Sequence, residues 1–187
     1  MPHKSRNRRF CAEIDAGFRA RFLRLGVFAN PYRLLPTEML QLSVAECGPG
    51  QRDGVAGLYR ACSYQGGMSA RDRVLVATNH GSVVGAVRLC PEHGVIVLRG
   101  MQVLPEFRRM GVGTGLLRES VARIGSAICY TIPWRHLERF YGSAGFRRCV
   151  PSEAPPFLSA RIEDYSSRGM DVILMVRFSL PDRRACA

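Results

Sequence analysis

The segment at residues 101–117, MQVLPEFRRMGVGTGLL, joins an apolar run to a glycine-rich turn and then to a helical pattern. The β-branched and apolar run at 95–98 leads into it and predicts a strand that ends near Val103. The glycines at 111, 113 and 115 then lie where a helix should begin. A helix start leaves backbone N–H groups unpaired, and glycine lets a phosphate approach them closely. The segment therefore predicts a pyrophosphate site.

The spacing of these glycines decides between kinds of phosphate site. A nucleotide P-loop needs Lys followed by Ser or Thr after its last glycine, but Leu116 and Leu117 follow here. A dinucleotide fingerprint needs Gly-x-Gly-x-x-Gly with an acidic residue farther along, and this also does not fit. The pattern Arg108-x-x-Gly111-x-Gly113 after a strand end resembles the coenzyme A motif of the GNAT acetyltransferase superfamily.

The resemblance extends to two further parts of the chain. Upstream, the segments 74–77 and 83–89, with a turn at 79–81 between them, resemble the second and third strands of that family. Downstream, the run FYGSAGF at 140–146 resembles its FYxxxGF element. The elements occur in the order that the family has, over roughly residues 40–180.

The resemblance implies an α/β (α+β) fold with a central mixed, mostly antiparallel sheet of six to seven strands. The sheet should be splayed between its fourth and fifth strands and carry helices on both faces. We expect this acetyltransferase domain at 39–187, after a basic, partly disordered extension at 1–38. A helix-bearing excursion at 151–170 is either a lid over the acceptor site or a flap that packs its own apolar face.

Hydrophobic periodicity and turn residues predict the remaining elements. The predicted strands are 40–45, 95–103, 127–132, 147–150 and 171–179, and the predicted helices are 51–63, 112–124 with Gly125 as its C-cap, and 136–144.

The resemblance implies acetyl-CoA as the co-substrate and assigns contacts to it by position. Backbone groups of Met101, Gln102 and Val103 would contact the pantetheine arm and the acetyl carbonyl. The residues expected around the pyrophosphate are Arg108, Arg109, Met110, Gly111, Val112, Gly113 and Thr114.

Acetyl transfer to an amine needs a neutral nucleophile, a donor to the carbonyl oxygen and a proton for the thiolate. The backbone N–H of Val103 is the predicted oxyanion donor, and Tyr141 of the FYxxxGF match is the predicted general acid. On periodicity alone, Tyr141 would be a half-buried helix aromatic.

The general base is not predicted. Many family members have a glutamate on the motif strand, but 95–103 contains none and offers Arg99. Glu92, His93 and Glu106 flank the strand, and a water relay is equally compatible. Trp134 stands where many members have asparagine and is expected to shape the acceptor wall. His136, as a helix-start residue or a base, and Tyr130 are further acceptor-site candidates.

Composition narrows the partners. The net charge is +12, but 26 of the 27 basic residues are arginines spread along the chain, which makes nucleic-acid binding the less favoured interpretation. The charge disfavours polycationic acceptors, so a neutral or acidic small-molecule amine is expected. Oligomeric state is not predicted.

The cysteines bear on metals and location. Seven cysteines without a CxxC pair and four histidines predict no metal site, no disulfide framework and a reduced, cytoplasmic location. Apolar runs are too short for a membrane span.

The sequence thus favours an acyltransferase, specifically an acetyl-CoA-dependent N-acetyltransferase of a small amine. The alternatives are a protein N-terminal or lysine acetyltransferase, a non-catalytic coenzyme A sensor, and a basic nucleic-acid module.

Overall fold

The computed structural model describes residues 41–178, so the predicted extension at 1–38 lies outside the described residues. A seven-stranded mixed sheet forms the centre, with strand order β1-β2-β3-β4-β5-β7-β6. The strands are β1 Leu42–Glu46, β2 Arg73–Asn79, β3 Ser82–Glu92, β4 Val95–Val103, β5 Cys129–Thr131, β6 Arg147–Arg148 and β7 Met175–Arg177. Within this sheet β4 and β5 are parallel and the other neighbouring pairs are antiparallel. The predicted fold class is confirmed.

Within residues 41–178, four helices cover the two faces of the sheet, and helices on both faces were predicted. They are α1 Arg52–Ala61, α2 Val112–Ile124, α3 Glu138–Gly142 and α4 Pro156–Ser167. Successive strand residues point to opposite faces, so Leu98 joins the core beneath α2 and α3 while Val97 joins the core beneath α4. Helix α1 packs on β2 and β3 on the same side as α4. We call these sides the α2 face and the α4 face.

Two tight hairpins align β2, β3 and β4. Both turns consist of a histidine and a glycine with positive φ, His80–Gly81 at +47° and +80° and His93–Gly94 at +47° and +81°. Two successive residues with positive φ form the turn whose twist matches that of paired strands, and glycine adopts this conformation without strain. The turn predicted at 79–81 is therefore confirmed, and the second hairpin turn has the same geometry.

Strand β4 contains an irregularity that the sequence did not indicate. The register between β3 and β4 shifts between Ala86 and Arg88, and Gly100 on β4 has a φ of +61°. The Tyr59 hydroxyl of α1 donates a hydrogen bond to the Gly100 carbonyl at 3.0 Å. This β-bulge changes the direction of β4 just before Met101.

The predicted splay lies at the parallel pair. Only Ile96, Val97 and Leu98 of β4 pair with β5, whose partners are Cys129–Thr131. Strand β4 continues through Val103, whereas the chain after β5 turns away at Pro133 and makes a single bridge from Trp134 to Val172. The two strands therefore separate and leave a gap in the sheet.

Several predicted elements were too long. The strand predicted at 127–132 is reduced to β5, because its partner β4 diverges beyond the pairing with Thr131. The strand predicted at 171–179 is reduced to β7, since Ile173 donates its N–H to the Pro133 carbonyl at 3.0 Å before regular pairing begins, and residue 179 lies outside the described range. The helix predicted at 136–144 divides into a 3-10 turn, Arg135–Leu137, followed by α3.

The excursion at 151–170 contains α4, which packs on the sheet. Leu158 is fully buried and Ile162 is 9% exposed among residues of β5 and β7. The apolar face of this helix is thus part of the core of the α4 face.

Candidate active site

A cleft of about 190 Å³ occupies the gap between β4 and β5. Tyr141 and Leu137 line it from the α2 face, and Arg161 and Tyr165 of α4 line it from the opposite face. The cleft therefore runs between the two faces of the sheet. Its other lining residues are Tyr64, Val97, Leu98, Arg99, Gly100, Met101, Gln102, Thr131, Ile132, Pro133, Trp134, Met170 and Val172.

The glycine-rich segment forms the N-terminus of α2 beside this cleft. Gly111 is the N-cap residue with a φ of +83°, and Arg109 also has a positive φ of +64°. The first helical hydrogen bond runs from the Gly115 N–H to the Gly111 carbonyl at 2.9 Å. Among the residues that the structure describes, the backbone N–H groups of 109–114 have no hydrogen-bond partner. They form a row of free donors at the positive end of a helix of 13 residues.

Gly113 connects this loop to the rest of the site. A Cβ atom placed on Gly113 would lie 3.6 Å from the ring of Phe140 and 3.9 Å from Val103 Cγ2. The start of α2, the end of β4 and helix α3 therefore meet on the α2 face. These distances are ordinary van der Waals contacts, so packing would tolerate a side chain at Gly113. Glycine at this position instead keeps the neighbouring backbone amides accessible.

Arg108 has a contact that the motif alone did not predict. Its Nε donates a hydrogen bond to the Val103 carbonyl at 3.1 Å and so attaches the loop to the end of β4. The next residue, Leu104, donates its N–H to the Val84 carbonyl of β3 at 2.9 Å. Neighbouring residues in a strand direct their backbone N–H and C=O groups to opposite sides. Because Leu104 bonds to β3, the N–H and C=O groups of Val103 point away from β3, toward the gap.

Tyr141 lies on the wall of the cleft and is only 4% exposed. Phe140 and Phe146 pack edge-on against it, with ring centroids 5.1 Å and 5.9 Å away. Burial raises the pKa of the Tyr141 hydroxyl, and the neighbouring Thr131 side chain opposes this only in part. The phenol therefore keeps its proton at neutral pH and is available as a hydrogen-bond donor.

Two arginines from distant parts of the chain meet at the α4 face. Arg99 Nη1 lies 3.1 Å from Glu92 Oε1, and Arg161 Nη2 lies 2.6 Å from Glu92 Oε2. Burial alone would raise the pKa of Glu92, but both arginines outweigh burial and hold that pKa below its usual value. The sequence drew attention to Arg99 but gave no signal for Arg161, since only the packing of α4 on the sheet brings it here.

Of the three residues predicted to contact the acceptor, one lines the cleft and two lie elsewhere. Trp134 lines the cleft and is 45% exposed. Tyr130 is 6% exposed and packs within the core beneath α4, and His136 is exposed in the 3-10 turn before α3. Neither of these two lines the cleft. His93 packs against Phe157, with ring centroids 4.5 Å apart.

The flanking candidates for a general base do not reach the cleft. Within the described lining, Glu92, His93 and Glu106 are absent. Residues 41–178 contain no cluster of three or more His, Cys, Asp or Glu side chains suited to a metal ion. Among the helices described there, none is long and apolar enough to cross a membrane.

Both the sequence and the fold of the chain have counterparts among known proteins. Residues 70–148 match the model of the acetyltransferase (GNAT) domain, which spans both the motif strand and Tyr141. No curated protein matched the sequence.

Solved structures of low sequence identity share the fold. N-acetylglutamate synthase from Neisseria gonorrhoeae, complexed with coenzyme A and N-acetyl-glutamate, has a TM-score of 0.56 at 20% identity, over 73% of this chain and 34% of that one. The ribosomal-protein-S18-alanine N-acetyltransferase from Escherichia coli has a TM-score of 0.55 at 12% identity, over 78% of this chain and 99% of that one. An aminoglycoside 6'-N-acetyltransferase complexed with coenzyme A has a TM-score of 0.57 at 16% identity, over 75% of this chain and 99% of that one. The present chain thus spans about a third of the synthase but nearly all of the two smaller proteins.

Proposed function

Because the chain contains an acetyltransferase (GNAT) domain, we propose that it transfers an acetyl group from acetyl-CoA to the primary amine of a small metabolite. The observation that carries this proposal is the row of unpaired amides at 109–114 beside the gap between β4 and β5. Within the described residues, no acceptor pairs with these amides and no strand fills this gap. The amides fit the pyrophosphate of acetyl-CoA, and the gap fits its pantetheine arm.

The cofactor end of the cleft lies on the α2 face. The free amides from Arg109 to Thr114 would hold the pyrophosphate of coenzyme A, since backbone donors at a helix N-terminus favour anions. The β4 edge beyond Leu98 would pair with the amides of the pantetheine arm, as an added strand does. Met101 and Gln102 line the gap where that arm would lie. Arg108 keeps the loop and the strand end in register.

The site residues can carry the transfer without a charged base in the cleft. The amine nitrogen attacks the thioester carbonyl carbon, and the C–S bond breaks. The N–H of Val103, on the gap side of β4, would donate to the carbonyl oxygen as it gains negative charge. Tyr141 would give its proton to the departing sulfur, or hold that sulfur by a hydrogen bond. The proton that the amine loses passes to water.

The acceptor would enter from the α4 face, since the free amides and Tyr141 occupy the other face. Trp134 and the α4 residues Arg161 and Tyr165 form its walls. In this proposal the excursion that carries α4 is therefore a wall of the acceptor site. The bulky Trp134 and the α4 wall narrow this end of the cleft, which favours a metabolite over a protein segment.

A substitution at the helix start tests the cofactor site. Thr114 is exposed in the first turn of α2, where a glutamate is favourable to the helix but adds a negative charge beside the pyrophosphate. Thr114→Glu should therefore weaken coenzyme A binding about tenfold or more without loss of thermal stability. Titration calorimetry measures this, with Thr114→Gln as the uncharged control of similar size. Equal affinity in both variants, or no binding by the parent protein, would contradict the proposal.

Turnover tests the reaction itself. Purified protein with acetyl-CoA should release free thiol in the presence of single small amines and much less with peptides. Peptides as the better acceptors would favour a protein acetyltransferase instead. Binding of coenzyme A without turnover of any amine would favour a sensor.

A further inference from the structure

The charged residues that line the cleft have one sign. Arg99 and Arg161 line it on the α4 face, and no aspartate or glutamate occurs in its described lining. Both arginines are largely shielded from solvent, with side chains 32% and 23% exposed. An acceptor that enters from this face therefore meets two guanidinium groups before it reaches Met101 and Tyr141.

Glu92 neutralises only part of this charge. It bridges the two arginines from behind, at 3.1 Å and 2.6 Å, and does not line the cleft. Two cations and one anion leave a net charge of +1 at this end of the cleft. Arg161 Nη1 is in addition fully buried and has no hydrogen-bond partner in the described part of the chain. This N–H therefore adds to the positive charge that Glu92 does not offset within the described residues.

We infer that Arg99 and Arg161 bind a carboxylate of the acceptor, so that the substrate is a small amine that also carries a carboxylate, as an amino acid does. This inference rests on the proposed function, because it names the substrate class of the same site. A guanidinium forms two parallel hydrogen bonds with a carboxylate, and a single negative charge balances the net charge of the group. A phosphate dianion carries more negative charge than the net charge of +1 can neutralise, and a second ammonium group on the acceptor would be repelled by the arginines.

Matched acceptors provide the first test. Each amino acid of a panel is compared with its own carboxamide, which keeps the amine and the side chain but lacks the charge. We expect kcat/KM to be about ten- to a hundredfold higher for the acids, the factor that charge-assisted hydrogen bonds supply. If carboxamides react as well as the acids, the inference is overturned and the proposed function stands. If no amine reacts and acetyl-CoA does not bind, the proposed function fails as well.

Variants at the arginines provide the second test. Arg161→Gln should raise the KM for the acid by about tenfold and leave that for its carboxamide and for acetyl-CoA unchanged, and Arg161→Lys should restore part of the loss. The control is Arg168→Gln at the C-cap of the same helix, because Arg168 pairs with Asp164 and does not line the cleft. Arg99→Gln repeats the test at the more exposed partner, and circular dichroism verifies folding. Unchanged discrimination between acid and carboxamide in folded Arg161→Gln and Arg99→Gln would overturn the assignment.

Discussion

At the scale of single residues, Tyr141 is a buried phenol on the wall of the cleft and the proposed general acid. The aromatic contacts with Phe140 and Phe146 fix its ring, and burial raises its pKa above the ordinary value. Tyr141→Phe keeps the ring contacts and removes only the donor. We expect kcat to fall about a hundredfold while the affinity for acetyl-CoA stays the same, as steady-state kinetics and calorimetry would measure. An unchanged kcat would mean that the sulfur receives its proton from another group.

The buried ion pair of Arg88 and Asp72 is a second residue-scale feature. The two side chains are 3% and 6% exposed and lie 2.8 Å apart, and Arg88 also donates to the Tyr64 hydroxyl at 3.0 Å. Asp72→Ala would leave a buried guanidinium without its counter-charge and should lower the free energy of unfolding by about 3–5 kcal/mol. Chemical denaturation measures this loss.

A double variant separates charge from packing at this pair. Adding Arg88→Met to Asp72→Ala should recover part of the stability, because no unpaired charge remains. The exposed pair Arg168–Asp164, at 59% and 53% exposure, supplies the comparison, where Asp164→Ala should cost about 0.5 kcal/mol or less. A double variant no more stable than Asp72→Ala would contradict this account.

At the scale of elements, the bulge in β4 links this ion pair to the cleft. A Cβ atom on Gly100 would lie 2.8 Å from the Tyr59 hydroxyl oxygen and 3.1 Å from Arg88 Nε, and the φ of +61° disfavours a side chain in any case. Gly100→Ala should therefore lower the free energy of unfolding by about 3 kcal/mol and weaken acetyl-CoA binding, since Met101 follows directly. Gly81→Ala is the matched control, because Gly81 has a φ of +80° but open space around it. Its cost should be about 1 kcal/mol, and equal costs would show that packing around the bulge is unimportant.

Elements with strong local signals could be predicted from the sequence, and others could not. Helix α2 and the hairpin turns depend on glycines and local periodicity, so their positions followed from the residues alone. The lengths of β5 and β7 depend on where neighbouring strands diverge, which local pattern does not encode. The bulge at Gly100 likewise depends on Tyr59, which contacts it from a helix far away in sequence.

At the scale of the whole molecule, the candidate site depends on the topology of the sheet. The motif predicted the free amides, which belong to the end of one strand and the start of the following helix, whereas the splay was implied only by the family resemblance. The positively charged end of the cleft requires Arg99 and Arg161 to meet, and only the order β4-β5-β7 with α4 packed on it brings them together. Local pattern could therefore predict the cofactor end of the site but not the charge at its acceptor end.

In this topology, two glutamates form ion pairs with arginines on other strands or helices, so the stability of the fold should depend on their ionisation. Arg73 on β2 lowers the pKa of Glu46 on β1 through a hydrogen bond, and for Glu92 on β3 the pairing with Arg99 and Arg161 outweighs burial. A pKa that is lower in the folded state than in the unfolded state contributes stability above the unfolded value, and this contribution is lost as the pH falls through the folded value.

The free energy of unfolding should accordingly be constant near neutral pH and decrease below the ordinary glutamate pKa of 4.5. Glu92→Gln should lower the free energy of unfolding at neutral pH, because it removes the carboxylate that pairs with Arg99 and Arg161 at the junction of β3, β4 and α4. It should also make this free energy less dependent on acid pH, because that carboxylate can no longer take up a proton when the chain unfolds. Urea denaturation across the pH range measures both effects, with the exposed Glu163→Gln on α4 as the control that should follow the parent curve. If Glu92→Gln retains the full acid dependence, the three-element junction does not contribute to it, and the loss must come from carboxylates elsewhere in the chain.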